Sequence, residues 1–456
     1  MAYCILKSYK LRLEPFRLFE ALSRQKHCFF LDSSLNTNYA LGRYSFLGRE
    51  PFLVLKTRDK NPFPKIREVL NKYKLSGGLS RIPFLCGAVG YLAYDLGLGL
   101  EKKVKIREKE DSGIPDSFFS FYNTIIIIDH LKNLLYICAV GFPEKKYPAA
   151  KILAESNFKK IYTLVSKIDA KRAPQNQIRT KGCQASWQSN FTKEGYLSAI
   201  KKAKEYIKNG DIYQVNLSQT FSSRRALSGI KIYQRLRQIS PSYVSAYFDA
   251  GDFQILSSSP ESFLRLEGDK VITRPMKGTR RRSSNKIKDR KLKKELLGSV
   301  KDKAELTMIV DLERNDLGRV CNYNSIAAPT LRQLEEYSTV FQTTGTIEGR
   351  LHKDRDRLDL LRAGFPGGSI TGCPKIRAME IIEELEPSRR SIYTGSLGYL
   401  SFSGNMDFNI LIRTMLKKGD YLSFGVGGGI VADSCPEAEY AETLVKAKAM
   451  RQATSF

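Results

Sequence analysis

Residues 397–416, "LGYLSFSGNMDFNILIRTML", decide how this chain folds. Two apolar runs of strand length flank Ser403-Gly404-Asn405, residue types that close a tight turn, so the stretch predicts a β-hairpin. Working outward, residues 261–279, "ESFLRLEGDKVITRPMKGT", predict a second hairpin that turns at Glu267–Asp269. "FFLDSS", "GRYSFLGREPFLVLK" and "FLCGAVGYLAY" read as further strands, and residues 118–140, "FFSFYNTIIIIDHLKNLLYICAV", read as a hairpin with His130–Asn133 at its turn.

Helical periodicity falls between these strands. It predicts helices near 145–166, over 192–208 with Thr192 as cap, and over 302–316 and 374–385. Another begins after Ser434, where Ser434 and Glu437 have the spacing of a capping box. Hairpins and helices without regular βαβ alternation predict an α+β fold. Residues 166–185 are polar and unpatterned, which separates a strand-rich segment, 1–166, from a mixed segment, 187–456.

The chain of 456 residues carries a formal net charge of +28. Its basic residues are scattered and no aromatic–basic nucleic-acid signature accompanies them, so the field suits a small anionic substrate better than a polynucleotide. No apolar run reaches the ~18 residues of a membrane helix. Eight cysteines without a C-x-x-C pair predict reduced thiols in a cytoplasmic protein. With only three histidines, His27, His130 and His352, any metal is expected on carboxylates.

Two glycine motifs fail as nucleotide sites. In "GGSITGCPK" the residues after Gly372 are Cys373 and Pro374, where a phosphate loop needs lysine. "GVGGGIVADS", residues 425–434, lacks a dinucleotide fingerprint but reads as a glycine turn able to approach a carboxylate. Asp302 and Glu305 share one face of the 302–316 helix, and Glu305 shares it with Ile309 and Leu312. Glu439, Glu442 and Lys446 share a face of the last helix. Two helices giving acids to one cavity would suit Mg²⁺.

The ordered segments "SPESF", "RPMKGT", "AELTMIVDLERND", "SITGCPKIRAMEII", "ILIRT", "GGGIVADS" and "PEAEYAET" resemble the chorismate-utilising enzymes. That family includes the large subunits of anthranilate synthase and aminodeoxychorismate synthase, and the isochorismate and salicylate synthases. The resemblance implies two interleaved, sheet-rich halves packed as a sandwich with helices around them, the mixed segment being the chorismate-binding part. It implies Lys277 as nucleophile and Glu261 as general acid. Glu305, Glu442 and Glu439 match the Mg²⁺ ligands, with Asp302 behind them. Gln214, Thr279, Gln342, Thr371, Arg413, Gly427, Gly428, Gly429 and Lys446 match positions that hold chorismate.

Position 277 sorts the members. Anthranilate synthases have alanine there and aminodeoxychorismate synthases lysine, so P-M-K-G-T implies amination of chorismate at ring carbon 4 through a covalent lysine adduct, for 4-aminobenzoate and folate synthesis. Arg274 and Arg280 are expected to lower the lysine pKa. Gln214 stands where water-adding members have a lysine base. Gln342 departs from the family histidine and cannot shuttle protons. Cys183 and Cys373 lack the setting of an amidotransferase nucleophile, so ammonia is expected from a separate glutaminase subunit. The rival readings are an anthranilate synthase or bifunctional subunit, against which Lys277 speaks, and a non-catalytic basic protein, against which the intact Glu261, Glu305 and Glu442 speak.

Overall fold

The computed structural model describes residues 3–35, 39–58, 61–75, 81–170, 186–337 and 340–455. The fold is α+β, built on two large antiparallel sheets. The twelve-stranded sheet runs, in spatial order, from Cys4–Lys10 through Leu134–Val140, Thr124–Asp129, Tyr44–Gly48 and Phe29–Asp32. It continues through Ser245–Asp249, Gln254–Ser257, Thr414–Lys418, Tyr421–Ile430 and Gln214–Arg224 to Gly372–Cys373, and the twelfth strand, Gln188–Ser189, pairs with Gln214–Arg224 off this path. The ten-stranded sheet begins at Met276–Arg281 and Val340–Arg350 and ends at Gly87–Leu92, Ser117–Tyr122 and Leu53–Thr57. Each sheet therefore takes strands from both sides of the polar stretch at 166–185, whose residues 171–185 lie outside the described residues.

Alternation along the strands fixes which side chains enter which layer. Ile125 and Ile127 point between the sheets, where they join Phe46, Leu217, Tyr91, Phe121 and Leu397 in the larger core. Ile126 and Ile128 point the other way. There, with Phe30, Leu47 and Leu256, they pack under the helices Pro15–Leu22, Gly229–Ile239 and Pro436–Ala453, through Phe19, Tyr233 and Met450.

The hairpins expected at Glu267–Asp269 and Ser403–Asn405 are present, between Ser262–Glu267 and Lys270–Thr273 and between Ser396–Ser401 and Met406–Ile410. The 192–208 helix forms as Lys193–Lys208, with the Thr192 hydroxyl accepting from Gly195 N at 3.0 Å. Three local readings are corrected. The hairpin turning at His130–Asn133 is present, between Thr124–Asp129 and Leu134–Val140 of the twelve-stranded sheet, but it does not extend back to residue 118: Ser117–Tyr122 belongs to the ten-stranded sheet, so Asn123 is a corner between sheets. Its side chain holds that corner by donating to Phe142 O at 2.7 Å. The glycines of 425–429 form no turn but lie inside the strand Tyr421–Ile430, paired with Gln214–Arg224. Ser434 and Glu437 form no capping box. Cys435 is the N-cap of Pro436–Ala453, and the Ser434 hydroxyl donates instead to Glu439 Oε1 at 2.7 Å.

Candidate active site

Lys277 lies on the edge strand Met276–Arg281, where the register slips between Lys277↔Thr343 and Thr279↔Gln342. Gly278 sits in that slip with φ +75°, a conformation that costs glycine least, and the resulting bulge re-aims the neighbouring side chain. The Thr343 hydroxyl pins the bulge by donating to Lys277 O at 2.5 Å. The lysine Nζ donates to Ser369 O at 3.0 Å, and the hydroxyl of the same Ser369 donates to Glu261 Oε1 at 2.6 Å. One residue of the short turn Gly368–Ile370 thus ties an amine to a carboxyl drawn from a different strand segment.

Both groups have pKa values displaced from the ordinary range. Burial pushes the Glu261 carboxyl up, outweighing the Ser369 hydrogen bond and the nearby Lys277 charge. Loss of water holds the half-buried Lys277 below the usual lysine range. Lys446 pushes the same way, while Glu305 and Glu261 oppose. The expected role of Arg274 and Arg280 is corrected here, because both cations are already matched by acids. Arg274 pairs with Glu335 at 2.5 Å, and Arg280 with Glu295 at 2.7 Å and Asp302 at 3.2 Å.

The acids of the helices Val300–Gly318 and Pro436–Ala453 face a common space. Lys301 Nζ stands 3.9 Å from Glu305 Oε1 and 3.8 Å from Glu439 Oε1, and Lys446 Nζ stands 2.8 Å from Glu442 Oε1. Burial raises the Glu305 pKa, and Asp302 and Glu439 add to the rise through like charge. Among the described residues no three acids, histidines or cysteines are drawn into a preformed ligand group. The donors are nevertheless all carboxylate oxygens, and ammonium groups occupy the space between them. That chemistry fits a hard divalent cation.

The other sequence-selected residues frame this centre. Thr371 is fully buried and its hydroxyl donates to Gly367 O at 2.9 Å, holding the turn that carries Ser369. Gln342 reaches Thr279, an exposed residue, through Nε2 at 3.3 Å, and its buried Oε1 has no partner. Gln214 is fully buried with both amide atoms unpaired. Arg413, at φ +48°, sits where the chain leaves the ten-stranded sheet for the twelve-stranded one, with Nη1 3.4 Å from Ser240 Oγ. Lys446 Nζ also donates to Gly427 O at 2.8 Å, and a β-carbon at Gly428 would lie 3.3 Å from Glu439 Oε2. Gly429 makes room for the Gln214 amide.

Sequence reasoning missed two features. Glu313 is buried beside the reacting pair and accepts from the Thr273 hydroxyl at 2.8 Å. Arg390 and Glu386 form a buried pair at 2.7 Å whose bonds reach Ile370 O and Asn216 O. Their signal was an i,i+4 spacing that also marks ordinary surface pairs. A separate cavity of about 250 Å³, lined by Asp32, Ser33, Arg43, Tyr243, Arg265 and Asp407 among others, contains none of the selected residues.

Fold and site together define an α+β protein of two interleaved antiparallel sheets, with an amine–carboxyl pair and opposed acidic helices at one centre. The chain belongs to the chorismate-binding enzyme family, which it matches over residues 26–452. It is 37% identical to anthranilate synthase component 1 of Acetivibrio thermocellus, over 96% of this chain and 92% of that one. It is 34% identical to aminodeoxychorismate synthase component 1 of Bacillus subtilis, over 95% and 93%. The crystal structure of anthranilate synthase component I from Streptococcus pneumoniae superposes with a TM-score of 0.78 at 31% identity, covering 90% of this chain and 92% of that one.

Proposed function

We propose that this protein aminates chorismate at ring carbon 4, using ammonia delivered by a separate glutamine amidotransferase subunit, to give 4-amino-4-deoxychorismate in the cytoplasm. Relatives of both names lie at similar identity, 37% and 34%, so overall likeness does not choose the reaction. The observation that carries the reading is Ser369, which bonds both Lys277 and Glu261. A lowered amine pKa and a raised carboxyl pKa are shifts in the directions that favour nucleophilic displacement of a hydroxyl.

In the first step the neutral Lys277 Nζ attacks carbon 2 and the ring double bond shifts. The bond from carbon 4 to oxygen breaks as Glu261 protonates the leaving hydroxide. In the second, ammonia attacks carbon 4, the double bond shifts back, and the electron pair of the bond from carbon 2 to nitrogen returns to Lys277. The surplus proton of the new amine restores Glu261. Two displacements retain the configuration at carbon 4. Glu305 and Glu442, with Glu439 and Asp302 beside them, would hold Mg²⁺, whose charge would neutralise the ring carboxylate. Arg413 supplies a cation for the enolpyruvyl carboxylate. Burial of Cys373 raises its thiol pKa, the opposite of what an amidotransferase nucleophile needs, which supports a separate ammonia source.

Chromatographic identification of the product from chorismate, Mg²⁺ and ammonium tests the reading. The parent chain should make the 4-amino compound. Lys277→Ala should lose it by about a hundredfold or more, and should let ammonia attack the vacant carbon 2 to give a 2-amino product. Near-parental 4-amino product from Lys277→Ala would contradict the mechanism.

A further inference from the structure

A second cavity of about 250 Å³ lies between the helix Phe63–Lys72, the helix Arg357–Gly364 and the strand Ser262–Glu267, apart from the residues selected above. Its floor is apolar. Leu70, Leu266 and Leu358 line it, each no more than 4% exposed, and Leu351 lies beside them. Its wall carries Arg67, Asn71, Lys74 and Arg357. Arg67 is already committed to acids. It donates to both oxygens of Asp356, at 2.6 and 3.1 Å, and to Asp359 at 2.7 Å. Asp356 is in turn satisfied by Arg67 and by the N–H groups of Leu358 and Asp359, so its charge is spent on the helix start.

Arg357 is placed differently. Its Nη1 donates to the carbonyls of Ser401 and Asn405, and its Nε and Nη2 have no partner among the described residues. Lys74 and Asn71 have none there either. Loss of water lowers the Arg357 pKa to about 10, with the Asp356 charge opposing, so the guanidinium stays charged at neutral pH. Nε–H and Nη2–H are the parallel fork that a carboxylate accepts with two oxygens. The charge balance chooses among anions. Arg67, Lys74 and Arg357 face Asp356 and Asp359, which leaves one positive charge unmatched and suits a monoanion. An apolar cavity of about 150 Å³ takes benzene, so this one has room for a ring and its carboxylate. We infer that this cavity is a binding site for a small monocarboxylate with an apolar body, of the size and chemistry of benzoate. The carboxylate lies on Arg357 Nε and Nη2 with Lys74 beside it, and the ring lies on the leucine floor.

The test is leucine-methyl NMR of the full chain, titrated with sodium benzoate at fixed ionic strength. The ring should shift the methyl signals of Leu70, Leu266, Leu351 and Leu358, saturating in the millimolar range, and benzyl alcohol should not. Arg357→Gln removes the fork and should weaken benzoate binding about tenfold or more. Lys74→Glu, at an exposed position, should weaken it about tenfold by reversing a charge at the wall. No shift at these four leucines, or shifts confined to leucines elsewhere, would overturn the inference. Equal shifts with benzyl alcohol would show an apolar hollow without a carboxylate site, and would overturn it too. So would parental affinity in a folded Arg357→Gln. Should that variant fail to fold, Lys74→Glu decides alone, and parental affinity there would contradict the site.

Discussion

Glu313 shares a helix with Glu305, yet its carboxyl is buried against the Thr273 hydroxyl, behind the centre that holds Glu261 and Lys277. Burial pushes its pKa from the ordinary 4.5 to about 8, with the charges of Glu261 and Asp316 adding to the rise, and the Thr273 bond and Lys375 opposing. A raised carboxyl is stabilising as the neutral acid. That contribution is complete below pH 4.5 and disappears as pH climbs through about 8. Glu313→Gln should therefore abolish a loss of stability of roughly 4 kcal/mol between those limits. Urea unfolding at pH 5 and pH 9 should show the variant gaining on the parent only at the higher pH. Equal differences at both would contradict the buried neutral acid. In the sequence Glu313 stands between Leu312 and Arg314 and reads as one more helical acid. Lys277 and Glu261 were legible because their local motifs are specific. The origin of the lysine's lowered pKa was not legible, because Lys446 is distant in sequence and the nearby arginines turn out to be paired.

Arg390 and Glu386 act at the level of elements. The guanidinium bonds Ile370 O at 3.0 Å and Asn216 O at 2.6 Å, while Glu386 Oε1 accepts from Ser218 N and Oγ at 2.8 Å. One buried pair thus joins the Ser369 turn to the strand of Gln214 and Asn216. Glu386→Ala would leave a guanidinium, 4% exposed, without its counter-charge and should cost about 3–5 kcal/mol. Equilibrium unfolding checks this, and a loss under about 1 kcal/mol would show that the pair is not the clamp described. Elements whose ends carry turn chemistry were readable, as at Glu267–Asp269 and Ser403–Asn405. Asn123 was not, because the largely apolar runs on either side read as one continuous hairpin while the chain changes sheets between them. The glycines at 425–429 misled for a related reason. Glycine marks turns, but here the missing side chains serve close approach, with Tyr393 filling the space over Gly425 and Gln214 that over Gly429.

At the scale of the whole molecule, neither sheet is complete without both segments of the chain. Strand alternation and helix spacing made the α+β class legible, but the order in which distant strands pair depends on long-range packing that no local pattern encodes. The sandwich brings Lys277 from one sheet edge and Gln214 from the other sheet toward the same turn. For the purified chain alone, ammonium should support turnover and glutamine should not. Glutamine-driven product without a second subunit would contradict the separate ammonia source. The central claim concerns a single bond, between Lys277 Nζ and carbon 2 of the ring, and mass spectrometry of enzyme trapped during turnover reads it directly. The expected result is a chorismate-derived mass increment on the peptide that contains Lys277, absent from Lys277→Ala. A parent enzyme that turns over to the 4-amino product while every trapped sample carries unmodified Lys277 would contradict the account.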